Sequence, residues 1–171
     1  MSTTISQTLL PEFDQEFANA RKMLERVPED RPDFRPHPKS MTLAELAGHV
    51  GEVPLWAVKT LEGDEFETKP ASGPAYAPII MTSRSSLLAG FDDMVSQARG
   101  LLVATTDEAM TRTWSLKSGG KAVLAMPKAT VMRLFVMNHL VHHRAQLGVY
   151  LRMNDVPVPG MYGLSADEGS F

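Results

Sequence analysis

The chain has 171 residues, 43% of them hydrophobic and 22% charged, with a formal net charge of -3. That length suits one domain, residues 1–171, with a core of its own, and the composition excludes a disordered tail. The absence of any basic run excludes an ordinary nucleic-acid surface, and the absence of cysteine excludes disulfides, cysteine-ligated zinc and a thiol nucleophile of the chain's own.

No apolar run approaches the length of a membrane span, and the opening MSTTISQTLLPEF lacks a charged segment followed by an apolar one. The expectation is a soluble, cytoplasmic protein. The first helix is predicted from Leu10 to Val27, where Phe13, Phe17, Ala20, Leu24 and Val27 step by four and three. Pro11 is read as a residue near its start, and Pro28 closes it. The segment from Pro28 to Lys39 is proline-rich and reads as a loop. It carries His37, a weak candidate for the rim of a site.

Thr42-Leu43-Ala44-Glu45 reads as a capping box opening a second helix that runs to about Glu62, before Gly63. His49 adjoins Leu46 and Val50 on the helical wheel, so it points at or beside the core. Pro54 is predicted to kink this helix just past His49. Gly63 to Met81 has no periodicity and reads as a long loop able to cover a site. A third helix is predicted from Thr82 to near Thr105, with Asp107 capping one short turn through Met110. Thr113–Lys117 and Lys121–Leu124, joined by Ser118-Gly119-Gly120, read as a small hairpin with Trp114 as its anchor.

Pro127 is placed as the first residue of the last helix, which continues to about Met153. The tail from Val156 to Gly163 is extended by its prolines and expected to pack back on the domain. Four amphipathic helices with a minor β element describe an all-α fold, a four-helix bundle with a small β-hairpin before the last helix.

The last helix carries His139, His142 and His143. His139 and His143 are four apart and share one face, so they can grip one metal ion if a third ligand arrives from elsewhere. His49 is the candidate. One histidine on an apolar helix is usually a hydrogen-bonded core residue, and spacing alone leaves that reading open. Three half-buried imidazoles would repel one another if protonated, and a divalent cation would hold them neutral. Three imidazoles would also leave a coordination position open, as in a catalytic site. Gln146 is a candidate for orienting a water or a neighbouring group. Arg144 is read as structural, pairing with a carboxylate away from the metal, and His142 as peripheral.

These residues resemble a known family. His49 in the second helix, followed by His139-x-x-His142-His143-Arg144-x-Gln146 in the last, is similar to the DinB-like (DinB/YfiT-type) metalloenzymes. Arg35 to Met41 and the tail Pro157 to Gly163 look like one branch of that family, although Ala145 and Leu164 stand where many relatives have Gly and Pro. The resemblance implies an up-down-down-up bundle, a nickel or zinc ion on His49, His139 and His143, and a homodimer. It also implies a metal-dependent enzyme acting on a small-molecule substrate, since characterised relatives include thiol-dependent S-transferases and a mycothiol-dependent isomerase. The first expectation is therefore activation of a low-molecular-weight thiol. The alternatives are metal-dependent hydrolysis, with Glu45, Glu52 or Gln146 as the nearby bases, and a non-catalytic, stress-associated metal-binding protein.

Overall fold

The computed structural model describes residues 3–169. Its first helix, α1 (Ile5–Leu24), begins well before Leu10, because Thr4 and Gln7 form a capping box that supplies the missing backbone partners. Pro11 therefore lies inside the helix, not at its start. Phe13, Phe17, Ala20 and Leu24 are all buried, as their spacing requires. The second helix, α2 (Leu43–Glu62), has the expected box. Thr42 Oγ1 accepts from the Glu45 N–H at 3.1 Å, and Glu45 Oε2 accepts from the Thr42 N–H at 2.7 Å.

The stretch after Gly63 is not wholly irregular. It contains a three-residue strand, β1 (Glu65–Glu67). There follow α3 (Arg84–Ala104), capped by Ser83, and the short α4 (Asp107–Thr111), capped by Thr106. Asp107, the residue expected to cap that turn, instead accepts from the Ile5 N–H at 2.8 Å and ties it to the start of α1. The hairpin strands are β2 (Thr113–Ser118) and β3 (Lys121–Pro127). The last helix runs in three pieces: α5 (Lys128–Val131), a π-helical stretch over Met132–Met137, and α6 (Asn138–Met153). Pro127 ends β3 and precedes the helix, which corrects its assignment as the first helical residue.

The all-α expectation is corrected to a mostly helical chain with a three-stranded sheet of order β1-β2-β3. β1 pairs parallel with β2, Phe66 opposite Leu116, and β2 pairs antiparallel with β3. Three residues offer too little alternation to announce a strand, and the pairing partner is distant in sequence. Gly119 and Gly120 have φ of 61° and 76°, the conformation a two-residue hairpin turn requires. Trp114 is fully buried, and its indole N–H donates to the Lys59 carbonyl at 3.0 Å, so the sheet is anchored on α2 as expected.

α1 packs against α3 and α6, and α2 packs against the same two helices, which makes a closed ring. Arg21 meets Asp92 and Arg99 meets Asp14, so α1 and α3 run antiparallel. Glu12 meets Arg133 and Glu16 meets Arg144, so α1 and the last helix run together. No helix among the described residues is long and apolar enough to cross a membrane.

The tail returns to the bundle. Val158 and Met161 pack on the core, and Asn19 donates to the Met161 carbonyl at 3.3 Å. Asp167 is held by two hydrogen bonds from Arg152, at 2.9 and 2.6 Å, and one from the Val158 N–H at 2.8 Å. The Arg152 guanidinium first, and then the Val158 N–H, push the Asp167 carboxyl down from 3.8 to about 2. A carboxyl with a depressed folded-state pKa stabilises the folded state fully above its unfolded value, and that contribution fades as pH falls through the folded value. The expected result is a tail whose amide protection, taken against intrinsic exchange at the same pH, falls as pH drops from about 4 to about 2. Arg152→Gln should remove that dependence. A tail equally protected in both proteins at both pH values would refute it.

Candidate metal centre

His49 lies nearly two turns into α2, and His139 and His143 lie one turn apart on α6. The antiparallel crossing of these two helices brings all three together: each offers a ring nitrogen, and these atoms lie within 4.8 Å of one another. The rings meet edge to face, with centroids 4.4 to 5.0 Å apart. His49 Nε2 and His139 Nε2 are 3.1 Å apart. Two imidazole nitrogens, each about 2.0–2.1 Å from one ion, stand about 3.3 Å apart at a tetrahedral angle and about 2.9 Å apart at a right angle. The observed separation falls between these, so His49 and His139 stand as two ligands of one divalent ion would, with a His143 nitrogen within 4.8 Å of both.

The outer nitrogens of two rings are engaged. His49 Nδ1 is 2.9 Å from Glu52 Oε1, and Glu52 is completely buried. Burial pushes the Glu52 carboxyl up, but hydrogen bonds from His49, the Ile79 N–H and Tyr76 outweigh it and hold it below the usual glutamate range. An ionised carboxylate can only accept, so His49 carries its proton on Nδ1 and keeps its Nε2 lone pair. His143 Nδ1 is 2.8 Å from Gln146 Oε1, which fits the same tautomer. His139 differs. Its Nδ1 lies near the Phe135 carbonyl but makes no hydrogen bond of standard geometry among the described residues. Burial first, and then the neighbouring imidazoles, lower the His139 pKa. Burial likewise lowers His143 to about 4, against a partial offset from Gln146. All three rings are half-buried, and the lowered pKa of His139 and of His143 favours neutral, metal-ready imidazoles at those two positions.

Two cavities meet at the cluster. The larger, of about 690 Å³, reaches His49 and His139 and is walled by Trp56, Tyr76, Phe135 and Ile80. Trp56 forms the hub of this wall, with the rings of Phe66, Tyr76 and Phe135 set edge-on to it 5.1 to 5.6 Å away. The smaller, of about 420 Å³, reaches His143 and Gln146. Lys39, Ser40 and Met41 line both and separate them.

Of the other residues singled out in the sequence, His37 and His142 are exposed and lie outside the cluster. His37 Nδ1 accepts from the Lys39 N–H at 3.1 Å in a local turn. Gln146 is an exposed partner of His143. Arg144 points to the opposite side of α6, into an ion pair with Glu16 at 2.6 Å. Sequence reasoning named Glu52 only as a base and missed its contact with His49, although the spacing of three on one helix was available. It did not foresee that Tyr76 and Ile79 in the long loop reach Glu52, and no local signal announces that.

Gly48 permits this arrangement. A Cβ there would stand 2.0 Å from the Ile79 carbonyl oxygen, a backbone atom. Gly48→Ala gains about 1 kcal/mol of helix propensity but must lift the loop off α2. The expected net effect is a loss of about 1–2 kcal/mol in urea denaturation, since overpacking costs more than propensity returns. Gly51→Ala meets only the Leu87 side chain, which can turn aside, and should cost less. Equal stability of Gly48→Ala and wild type would contradict the close approach.

Residues 12–147 match the profile described as DinB superfamily. A DinB-like protein from Bacillus cereus is 22% identical, with a TM-score of 0.67, over 95% of this chain and 100% of that one. A DinB-like protein from Bacillus subtilis is 17% identical, with a TM-score of 0.63, over 95% of this chain and 99% of that one. No curated protein matches.

Proposed function

The chain belongs to the DinB superfamily, and on that premise we propose that it holds nickel or zinc on His49, His139 and His143 and uses it to activate a low-molecular-weight thiol, as an S-transferase. The observation that carries this reading is the placement of the three imidazoles at the junction of two cavities. Two cavities give room for two reactants, whereas hydrolysis needs one organic substrate and water. When bound, the ion supplies a Lewis acid that favours the thiolate form of the thiol.

The chain's own residues do the rest. Glu52 and Gln146 fix the tautomers of His49 and His143, which keeps the ligand nitrogens aimed inward. Trp56, Tyr76 and Phe135 give the larger cavity an apolar wall suited to an organic substrate. Lys39 offers a cation where the cavities meet, suited to an anionic group on the thiol. The bases that hydrolysis would need are otherwise committed. Glu45 closes the capping box, Glu52 holds His49 and Gln146 pairs with His143.

The proposal includes an up-down-down-up course, supported by the Arg21–Asp92 and Glu16–Arg144 contacts and by Tyr150 of α6 donating to the Met41 carbonyl just before α2. It also includes a cytoplasmic homodimer, for which exposed Val149 and Met153 on α6 offer apolar surface. Zinc- or nickel-loaded protein should consume an electrophile only when a thiol is added, in a matrix of electrophiles against cysteine, glutathione, coenzyme A and mycothiol. Thiol-independent turnover would favour hydrolysis. No turnover, together with a melting temperature that falls sharply on chelation, would favour a non-catalytic metal protein.

A further inference from the structure

The segment Tyr76–Met81 forms a strap lying along α2 beside His49. The Met81 N–H donates to the Ala44 carbonyl at 3.1 Å, and the Ile79 N–H donates to Glu52 Oε2 at 2.9 Å. Between these points the Ile79 carbonyl sits against the bare Cα of Gly48. Tyr76 adds a hydrogen bond to the same carboxylate. Glu52 thus spends one oxygen on His49 and the other on the strap, and it has no exposure to water. The strap's Tyr76, Pro78, Ile79 and Ile80 are also a wall of the larger cavity.

We propose that Glu52 is a positioning residue that couples the candidate metal ligand His49 to the strap closing the larger cavity, so that metal loading and strap docking reinforce each other. The inference rests on His49 being a metal ligand. With His49 holding an ion through Nε2, its Nδ1–H would be a stronger donor, and Glu52 would be held against His49 as the acceptor that Ile79 needs. Linkage requires the converse: a docked strap raises the affinity for the ion by the same factor. The consequence for function is that the cavity acquires its Ile79 and Ile80 wall when the ion is in place.

Glu52→Gln is the informative variant, because a carboxamide has one acceptor oxygen where the carboxylate has two. It can serve His49 or the Ile79 N–H but not both. Zinc affinity would be measured by competition with a chromogenic chelator, and exchange of the Ile79 and Met81 amides by hydrogen–deuterium exchange with and without zinc. In the wild type, zinc should slow exchange of the strap. In Glu52→Gln, affinity should fall about 10–100-fold and the zinc-dependent slowing should vanish. If that variant does not fold, Tyr76→Phe removes one strap contact and leaves the carboxylate and His49 intact. It should weaken zinc binding and reduce the slowing, though less. Zinc bound by wild type with strap exchange unchanged would overturn the coupling while leaving the metal site standing. Failure of wild type to bind either zinc or nickel would overturn both.

Discussion

His139→Ala purified and dialysed against zinc is expected to retain almost no metal. A four-ligand structural zinc site is worth about 10–16 kcal/mol, so each ligand carries about 2.5–4 kcal/mol, and removing one of only three should weaken binding by roughly 100- to 1,000-fold. His139 is the sharpest choice because its Nε2 faces that of His49 at 3.1 Å. Its removal from the metal-free protein loses the Nε2 contact with His49 and the stacking on Phe135 but no Nδ1 hydrogen bond, so beyond the packing it should cost about 1 kcal/mol. Metal content by mass spectrometry and stability by denaturation therefore separate ligand loss from misfolding. His142→Ala is the control: it lies on the same helix, is exposed, and should keep its zinc. Stoichiometric zinc in His139→Ala would end the three-histidine assignment.

Arg144→Met should cost about 3–5 kcal/mol of stability, the usual consequence of leaving one member of a buried ion pair alone. The Arg144 side chain is 3% exposed and that of Glu16 8%. Arg144 donates to the Glu16 backbone carbonyl at 3.0 Å and to the Tyr162 hydroxyl at 2.6 Å, and Tyr162 donates onward to the Glu16 carboxylate. One guanidinium thus holds α1, α6 and the tail together, and its planar fork is not replaceable by lysine. For a chain of this size, that loss corresponds to roughly 10 °C in melting temperature. The double variant Glu16→Met with Arg144→Met should recover part of it, because no buried carboxylate is then left without its partner. Wild-type stability in Arg144→Met would show that the pair contributes nothing.

The features legible in the sequence were those with local causes. The Thr42 and Glu45 capping box, the apolar steps in α1 and the pairing of His139 with His143 are all written within a few residues of one another. Arg144 was read as structural because arginine forks commonly pair with a carboxylate or a helix end. What was not legible depends on distant partners. β1 exists because Ser115, Leu116 and Lys117 offer it an edge, and the start of α1 was hidden because Pro11 looked like a beginning while Thr4 and Gln7 made an earlier one. At the site, the histidines were visible and the strap was not, since Ile79 contributes through its backbone and a backbone N–H carries no sequence signature. His49 was grouped with the other two because it sits beside the core on a predicted helix, the family resemblance agreed, and the fold brings the three rings together.

The π-helical turns at Met132–Met137 have a bearing on how this chain is aligned with relatives. A π turn closes its hydrogen bond over five residues where an α turn uses four, so it takes up one extra residue as a bulge. Deleting one residue there would let the helix close as an ordinary α-helix with the turns on either side still in their present register. The same residue kept in a regular α-helix would instead turn everything after it by about 100° relative to what precedes. His139 and His143 would then swing away from His49 while Val131 and Met132 stayed in the core. A relative of identical histidine spacing but one residue shorter between the hairpin and the last helix would therefore keep the same centre on a plain α-helix. An alignment gap at this point marks the bulge, and the histidines on either side of it remain equivalent.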